Sequence, residues 1–213
     1  PFFGMITPDV GCIKLKIFNE GAGKDVQRAF DSLKFANPNM KGIVLDLRGN
    51  PGGLLTEAVN VVNVFVEKNQ LVVTTKGKVD EWNKSFSTLN DVSDSKIPLV
   101  IITNSSSASA SEIVSGTMQD LDRGVIIGQR TYGKGLVQVT KPLSYNTMLK
   151  VTTAKYYIPT GRCIQALLYA EKNADGSVKR IPDSLKVAFK TLHSARTVYD
   201  GGGRSEERRV GKE

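Results

Sequence analysis

Histidine is almost missing from this 213-residue sequence, with His193 standing alone near the C-terminal end. A serine hydrolase built on a histidine base has almost nothing to build with, so if a serine acts here another group takes its proton. His193 itself reads as a surface residue. Cysteine is nearly as scarce: Cys12 and Cys163 lie far apart, with no CxxC spacing and no histidine beside either. That excludes a disulfide framework and a clustered metal site, and leaves the expectation of two reduced, buried thiols. Long apolar runs are missing too. The stretch PLVII at residues 98–102 falls far short of the roughly 20 residues that span a bilayer. The sequence also lacks an initiator methionine and a leader with a cleavage site. It therefore reads as starting inside something longer or already processed, and no signal reveals its compartment.

What is present belongs to an ordinary globular chain, 40% hydrophobic and 23% charged, enough for one buried core with appendages. The net charge of +8 raises the question of nucleic acid. Lysines and arginines are interspersed with acids, as in Glu81-Trp82-Asn83-Lys84, without a basic run carrying aromatics. The expected reading is a solvated basic surface with no specific nucleic-acid partner, which attracts acidic partners only weakly.

Apolar periodicity predicts alternating strands and helices. Ile13, Leu15 and Ile17 alternate with lysines, so residues 12–18 are expected as a half-buried strand. Val26, Phe30 and Leu33 recur at helical spacing within residues 23–36. Residues 42–47 form an apolar run that reads as a buried strand, broken by Arg48-Gly49-Asn50-Pro51-Gly52-Gly53 before an apolar helix over 54–66. Strands are expected at 71–75, 98–103 and 124–128, with a helix over 109–120. The segment 76–96 reads as irregular and pinned by Trp82 and Phe86. Residues 136–139 and 148–153 read as an antiparallel ribbon turning around residues 144–146, extended by 155–159. The repeated unit is strand, special turn, helix, and the fold class is α/β. Residues 169–193 show only weak pattern. The last ten residues, 204–213, are charged and free of aromatics, and are set aside as a disordered or artefactual tail.

Three stretches carry chemistry. The first is Asn104 to Ile113, where five serines crowd a strand-to-helix junction. Ser109 stands three residues before Glu112, the spacing of a capping box, in which its hydroxyl would satisfy a helix amide. The competing reading makes one of Ser105, Ser106, Ser107, Ser109 or Ser111 a nucleophile beside helix amides that hold an oxyanion; composition does not rank them. The second is Lys134 between Gly133 and Gly135. Residues 128–134 match a phosphate-binding loop up to its lysine, but Gly135 replaces the required hydroxyl and a strand is expected where that loop opens a helix. A lysine base whose pKa is lowered by burial fits better. The third is the glycine turn after residue 47: a connection needing unusual backbone angles, or a source of a second oxyanion amide.

Three blocks, GIVLDLRGNPGG at residues 42–53, SASASEI at 107–113 and TYGKGLVQ at 131–138, occur in the order found in the C-terminal processing peptidases, or tail-specific proteases, which the chain resembles from about residue 12 to 203. The resemblance implies a crotonase/Clp protease-like core of layered strand-strand-helix units with a small antiparallel β ribbon. It implies Ser109 as nucleophile, Lys134 as general base and Gln138 as the residue that orients the lysine. Ala110 and Gly52 would supply the oxyanion amides, with Gly53 and Asp120 in supporting places, Asp120 as a structural acid. It implies peptide hydrolysis through an acyl-enzyme without metal or cofactor. The expected partners are protein substrates with accessible C-terminal tails, homo-oligomerisation stays open, and the expected location is extracytoplasmic, periplasmic or in the cell envelope. Residues 1–203 would be the peptidase core. Family members carry a PDZ module before the core, and residues 1–11 leave no room for one, so the chain is expected either to begin just after that module or to lack it. The rival class is a catalytically silent ligand-binding member of the same superfold, against which intact Ser109, Lys134 and Gln138 argue.

Overall fold

A computed structural model describes residues 2–201, so the tail set aside above lies outside the described residues. The chain opens with β1 (Phe2–Thr7) and β2 (Val10–Lys14), followed by α1 (Ala22–Ala36), β3 (Gly42–Asp46), α2 (Leu55–Phe65) and β4 (Leu71–Gly77). Then come β5 (Lys84–Ser87), β6 (Leu99–Thr103), α3 (Ala110–Asp120), β7 (Val125–Gly128), β8 (Leu136–Pro142) and β9 (Met148–Tyr157). Four short strands follow: β10 (Leu167–Lys172), β11 (Val178–Arg180), β12 (Ala188–Lys190) and β13 (Thr197–Tyr199).

The strands β2, β3, β6 and β7 lie parallel in a five-stranded sheet of order β1-β2-β3-β6-β7, with β1 antiparallel at one edge. Every residue of β3 is buried, as its unbroken apolar run requires. The helix α1 buries Val26, Phe30 and Leu33 at helical spacing. Phe30 meets Phe65 of α2 edge-on at 5.4 Å, an aromatic pair that adds about 1 kcal/mol beyond burial. All eleven residues of α3 are buried, polar ones included. Its Thr117 hydroxyl donates to Val72 O at 2.8 Å, tying α3 to a second, antiparallel sheet of order β5-β4-β9-β8. The α/β expectation holds.

Three expectations need correction. The strand at residues 12–18 ends at Lys14: Ile17 is 49% exposed while Phe18 is fully buried, the reverse of the alternating pattern. After Leu15 the chain leaves β3 and pairs with the glycine turn, where Phe18 N–H donates to Gly52 O at 3.0 Å and Leu54 N–H to Phe18 O at 2.7 Å. The tertiary partner overrides the local period. The segment 76–96 is not wholly irregular, because Lys84–Ser87 pairs with β4. Cys12 and Cys163 form no disulfide with each other, as expected, but both are only half-buried rather than buried.

Because β3 and β6 are parallel neighbours, they end at the same side of the sheet, and each runs through a turn into a helix. The glycine turn and the serine turn are thereby set side by side at the carboxyl ends of the strands, where open α/β sheets place their sites.

Candidate active site

The two turns are stitched together by buried groups. Asn50, fully buried, donates its Nδ2 to Leu15 O at 2.9 Å and accepts Gly52 N–H on Oδ1 at 2.9 Å. Its backbone carbonyl accepts both Ala108 N–H and the Ser111 hydroxyl, each at 3.0 Å. The Ser107 hydroxyl donates to Leu47 O at 2.8 Å. Ser107 and Ser111 are thus fully buried with their hydroxyls committed to backbone carbonyls, and Ser105 and Ser106 are exposed on the turn before the helix. Ser109 differs from all four. It is half-buried and serves as the N-cap of α3, with φ 55° and ψ −112°, a sparsely populated backbone region for a residue with a side chain. Backbone strain of that kind collects where a side chain must be aimed.

Ala110 opens α3 directly after Ser109, so its N–H has no acceptor within the helix. Gly52 lies against the same spot: a Cβ on it would fall 2.7 Å from Ala108 O, 2.8 Å from Ser109 Cβ and 3.0 Å from Ala110 N. Its φ of +104° further demands glycine. The Gly52 N–H is engaged by Asn50, whereas Gly53 faces Phe18 in the bridge described above.

The backbone of Lys134 is tied to that of Ser109 through a residue whose weight the sequence did not convey. Glu112 is fully buried and its carboxylate gathers four donors. Oε1 accepts the Thr131 hydroxyl and Gly133 N–H, both at 2.6 Å, while Oε2 accepts Ser109 N–H at 2.9 Å and Lys134 N–H at 2.8 Å. One oxygen holds both amides, so the two nitrogens lie within about 6 Å of each other. Burial pushes the Glu112 carboxyl above its ordinary pKa, and these four hydrogen bonds pull the other way. The capping-box spacing announced the Ser109 bond, but no local signal announces Thr131, Gly133 or Lys134. A further tie is the Tyr132 N–H to Ser107 O bond at 2.9 Å. Lys134 itself is half-buried.

The chain after Lys134 enters β8, a strand, so the loop over residues 128–135 lacks the helix a phosphate-binding loop requires. Gln138 is exposed on β8 next to an irregularity in its pairing with β9, and among the described residues no hydrogen bond joins it to Lys134. Asp120 ends α3, about 16 Å along the helix from Ser109. There it is buried against Arg162 and accepts the Thr160 N–H and hydroxyl at 3.0 and 2.7 Å, away from the serine. His193 is exposed, its N–H on Asp122.

Residues 9–169 match the family described as Peptidase family S41. The chain belongs to peptidase family S41. Among curated proteins, it is 42% identical over 164 residues to a carboxy-terminal-processing protease of Bartonella bacilliformis, covering 76% of this chain and 38% of that protein. It is 36% identical over 160 residues to a chloroplastic C-terminal processing peptidase of Tetradesmus obliquus, covering 74% and 33%. Among solved structures, a photosystem II D1 C-terminal processing protease superposes with a TM-score of 0.65 at 34% identity, over 73% of this chain and 39% of that one. The S41 chain therefore spans well under half the length of these relatives. All three block motifs fall inside the matched region.

Proposed function

We propose that this S41 chain carries the catalytic core of a serine endopeptidase that uses Ser109 and Lys134 as a dyad and acts near the C-terminal tails of protein substrates. The observation that supports this most is the shared Glu112 oxygen, which draws the half-buried serine and the lysine loop to one point while Ser107 and Ser111 are tied down elsewhere. Ser109 Oγ attacks the scissile carbonyl carbon as the Lys134 amine takes the hydroxyl proton. The developing oxyanion is held by the Ala110 N–H at the positive end of α3. The Gly52 amide can join once its bond to Asn50 opens. Collapse of the tetrahedral species breaks the peptide C–N bond, Lys134 returns the proton to the leaving amine, and water, activated by the same lysine, releases the acyl group from Ser109. Gln138 would orient the lysine once substrate fills the space between them, and Asp120 serves the helix end. The tail preference is proposed from the C-terminal processing names of the S41 relatives above, and the extracytoplasmic location from the family resemblance. No helix among the described residues is long and apolar enough to cross a membrane.

The test compares Ser109→Ala and Lys134→Ala with the parent chain in cleavage of a protein bearing an unstructured C-terminal tail. Both variants should be inactive while folded. Full activity in either removes the dyad.

A further inference from the structure

Two of the three amides in Gly133-Lys134-Gly135 go to Glu112, and the third goes elsewhere. Gly135 N–H donates to Gln165 Oε1 at 2.8 Å. Gln165 is buried, 5% exposed, and its Nε2 donates to Leu167 O at 2.7 Å. The two bonds use the amide's acceptor and donor ends in one orientation, because a flipped amide would set donor against donor and acceptor against acceptor. The loop leans on the same segment through its backbone. Ala166 N–H donates to Gly133 O at 3.0 Å, and a Cβ on Gly135 would fall 2.2 Å from Gln165 N. That segment is itself anchored on α3: Arg162 pairs with Asp120 and donates to Gln119 Oε1 at 2.9 Å, beside the Thr160 bonds to Asp120. Residues 160–166 thus run from the far end of the nucleophile helix back to the lysine loop.

Glycines on both sides of Lys134 leave the loop no stiffness of its own. A base must sit within hydrogen-bond reach of the proton it takes, and misplacement by about 1 Å costs on the order of a hundredfold in rate. We propose that Gln165 is a positioning residue for Lys134, acting through the Gly135 amide to fix the C-terminal side of the loop as Glu112 fixes its N-terminal side. This rests on the Ser109/Lys134 reading above. It is distinct from any contact that Gln138 makes with the lysine side chain.

Gln165→Met removes both bonds at similar volume, and Gln165→Glu in its protonated form restores both. Both variants of the 213-residue chain are compared with the parent, Ser109→Ala and Lys134→Ala. The readouts are kcat and KM on an unstructured peptide, and amide hydrogen exchange at Gly133, Lys134 and Gly135. In Gln165→Met, Gly135 exchange should quicken by about tenfold or more while Gly133 keeps its protection, and kcat should fall about thirtyfold to a hundredfold with KM within about twofold. Gln165→Glu should recover protection and kcat, increasingly so relative to the parent as pH falls. Parental exchange at Gly135 in Gln165→Met, a loss confined to KM, or protection lost evenly across the chain overturns the inference. Full activity in Ser109→Ala or Lys134→Ala would instead remove the dyad, and the exchange data would still decide whether Gln165 holds the loop.

Discussion

The serine turn and the lysine loop meet at one carboxylate but are held in different ways. The serine turn is the end of a buried parallel strand running into a buried helix, and its restraints come from the neighbouring strand's own turn: Leu47 O, Asn50 O and the packed Gly52. The lysine loop lies between two strands of different sheets, and its three central amides are held by side chains, Glu112 and Gln165, borrowed from elsewhere in the chain. The proposed nucleophile, Ser109, is aimed mainly by backbone architecture, with one side-chain bond from Glu112 to its amide. The proposed base sits in a loop whose carbonyls take backbone bonds from Ala166 and Tyr156 but whose three central amides depend on borrowed side chains, so it is the easier of the two to dislodge without unfolding the protein.

The largest break in that comparison comes from the serines themselves. Ser109→Ala should lower kcat/KM by about ten-thousandfold or more with the melting temperature little changed. Ser107→Ala and Ser111→Ala should do the opposite, each costing about 1 kcal/mol of stability through one lost buried hydrogen bond, while Leu47 O and Asn50 O keep their backbone donors and activity stays within about tenfold. Thermal melts and steady-state kinetics on the three variants check this, and equal loss of activity in all three would show that the turn acts as a unit.

Gly52→Ala attacks the backbone side of the comparison. The added methyl meets Ala108 O and Ser109 Cβ below 3.0 Å and must adopt φ +104°. A cost of about 1–3 kcal/mol is expected, together with a fall in kcat on the order of a hundredfold. A clamp remote from both turns should move stability alone. Asp94 accepts Lys34 Nζ at 2.5 Å and the amides of Lys96 and Ile97; although burial opposes it, these bonds hold its carboxyl down to about 2 from an ordinary 3.8. Its folded-state pKa lies below the unfolded one, so its contribution is complete above about pH 4 and fades as pH falls toward 2. Asp94→Asn should lower stability by less than about 1 kcal/mol at neutral pH, flatten the acid limb of a melting-temperature profile, and leave kcat untouched.

How much of this could be read in advance follows the same division. The strand-turn-helix repeats were legible because β3, β6, α1 and α2 carry their periods locally. Ser109 with Glu112 was legible as a cap for the same reason. Setting Ser107 and Ser111 aside was not, because their acceptors, Leu47 O and Asn50 O, lie about sixty residues away in sequence. Glu112 was read as an acid serving one helix end when it serves two loops. Gln165 carried no motif. Phe18 broke the alternating pattern because its partner is the glycine turn, and the strands β11, β12 and β13, three residues each, are too short to show a period. What escaped the sequence is side-chain bonding across long separations, which holds the amides of the loop that carries the proposed base.

The most direct test of the shared carboxylate is an NMR titration of the amide protons of Ser109, Gly133 and Lys134, which report one group if Glu112 holds all three. The account predicts a common midpoint at all three amides, above the ordinary glutamate value, and its disappearance in Glu112→Gln. Three unrelated midpoints, or a titration that survives Glu112→Gln, would contradict it.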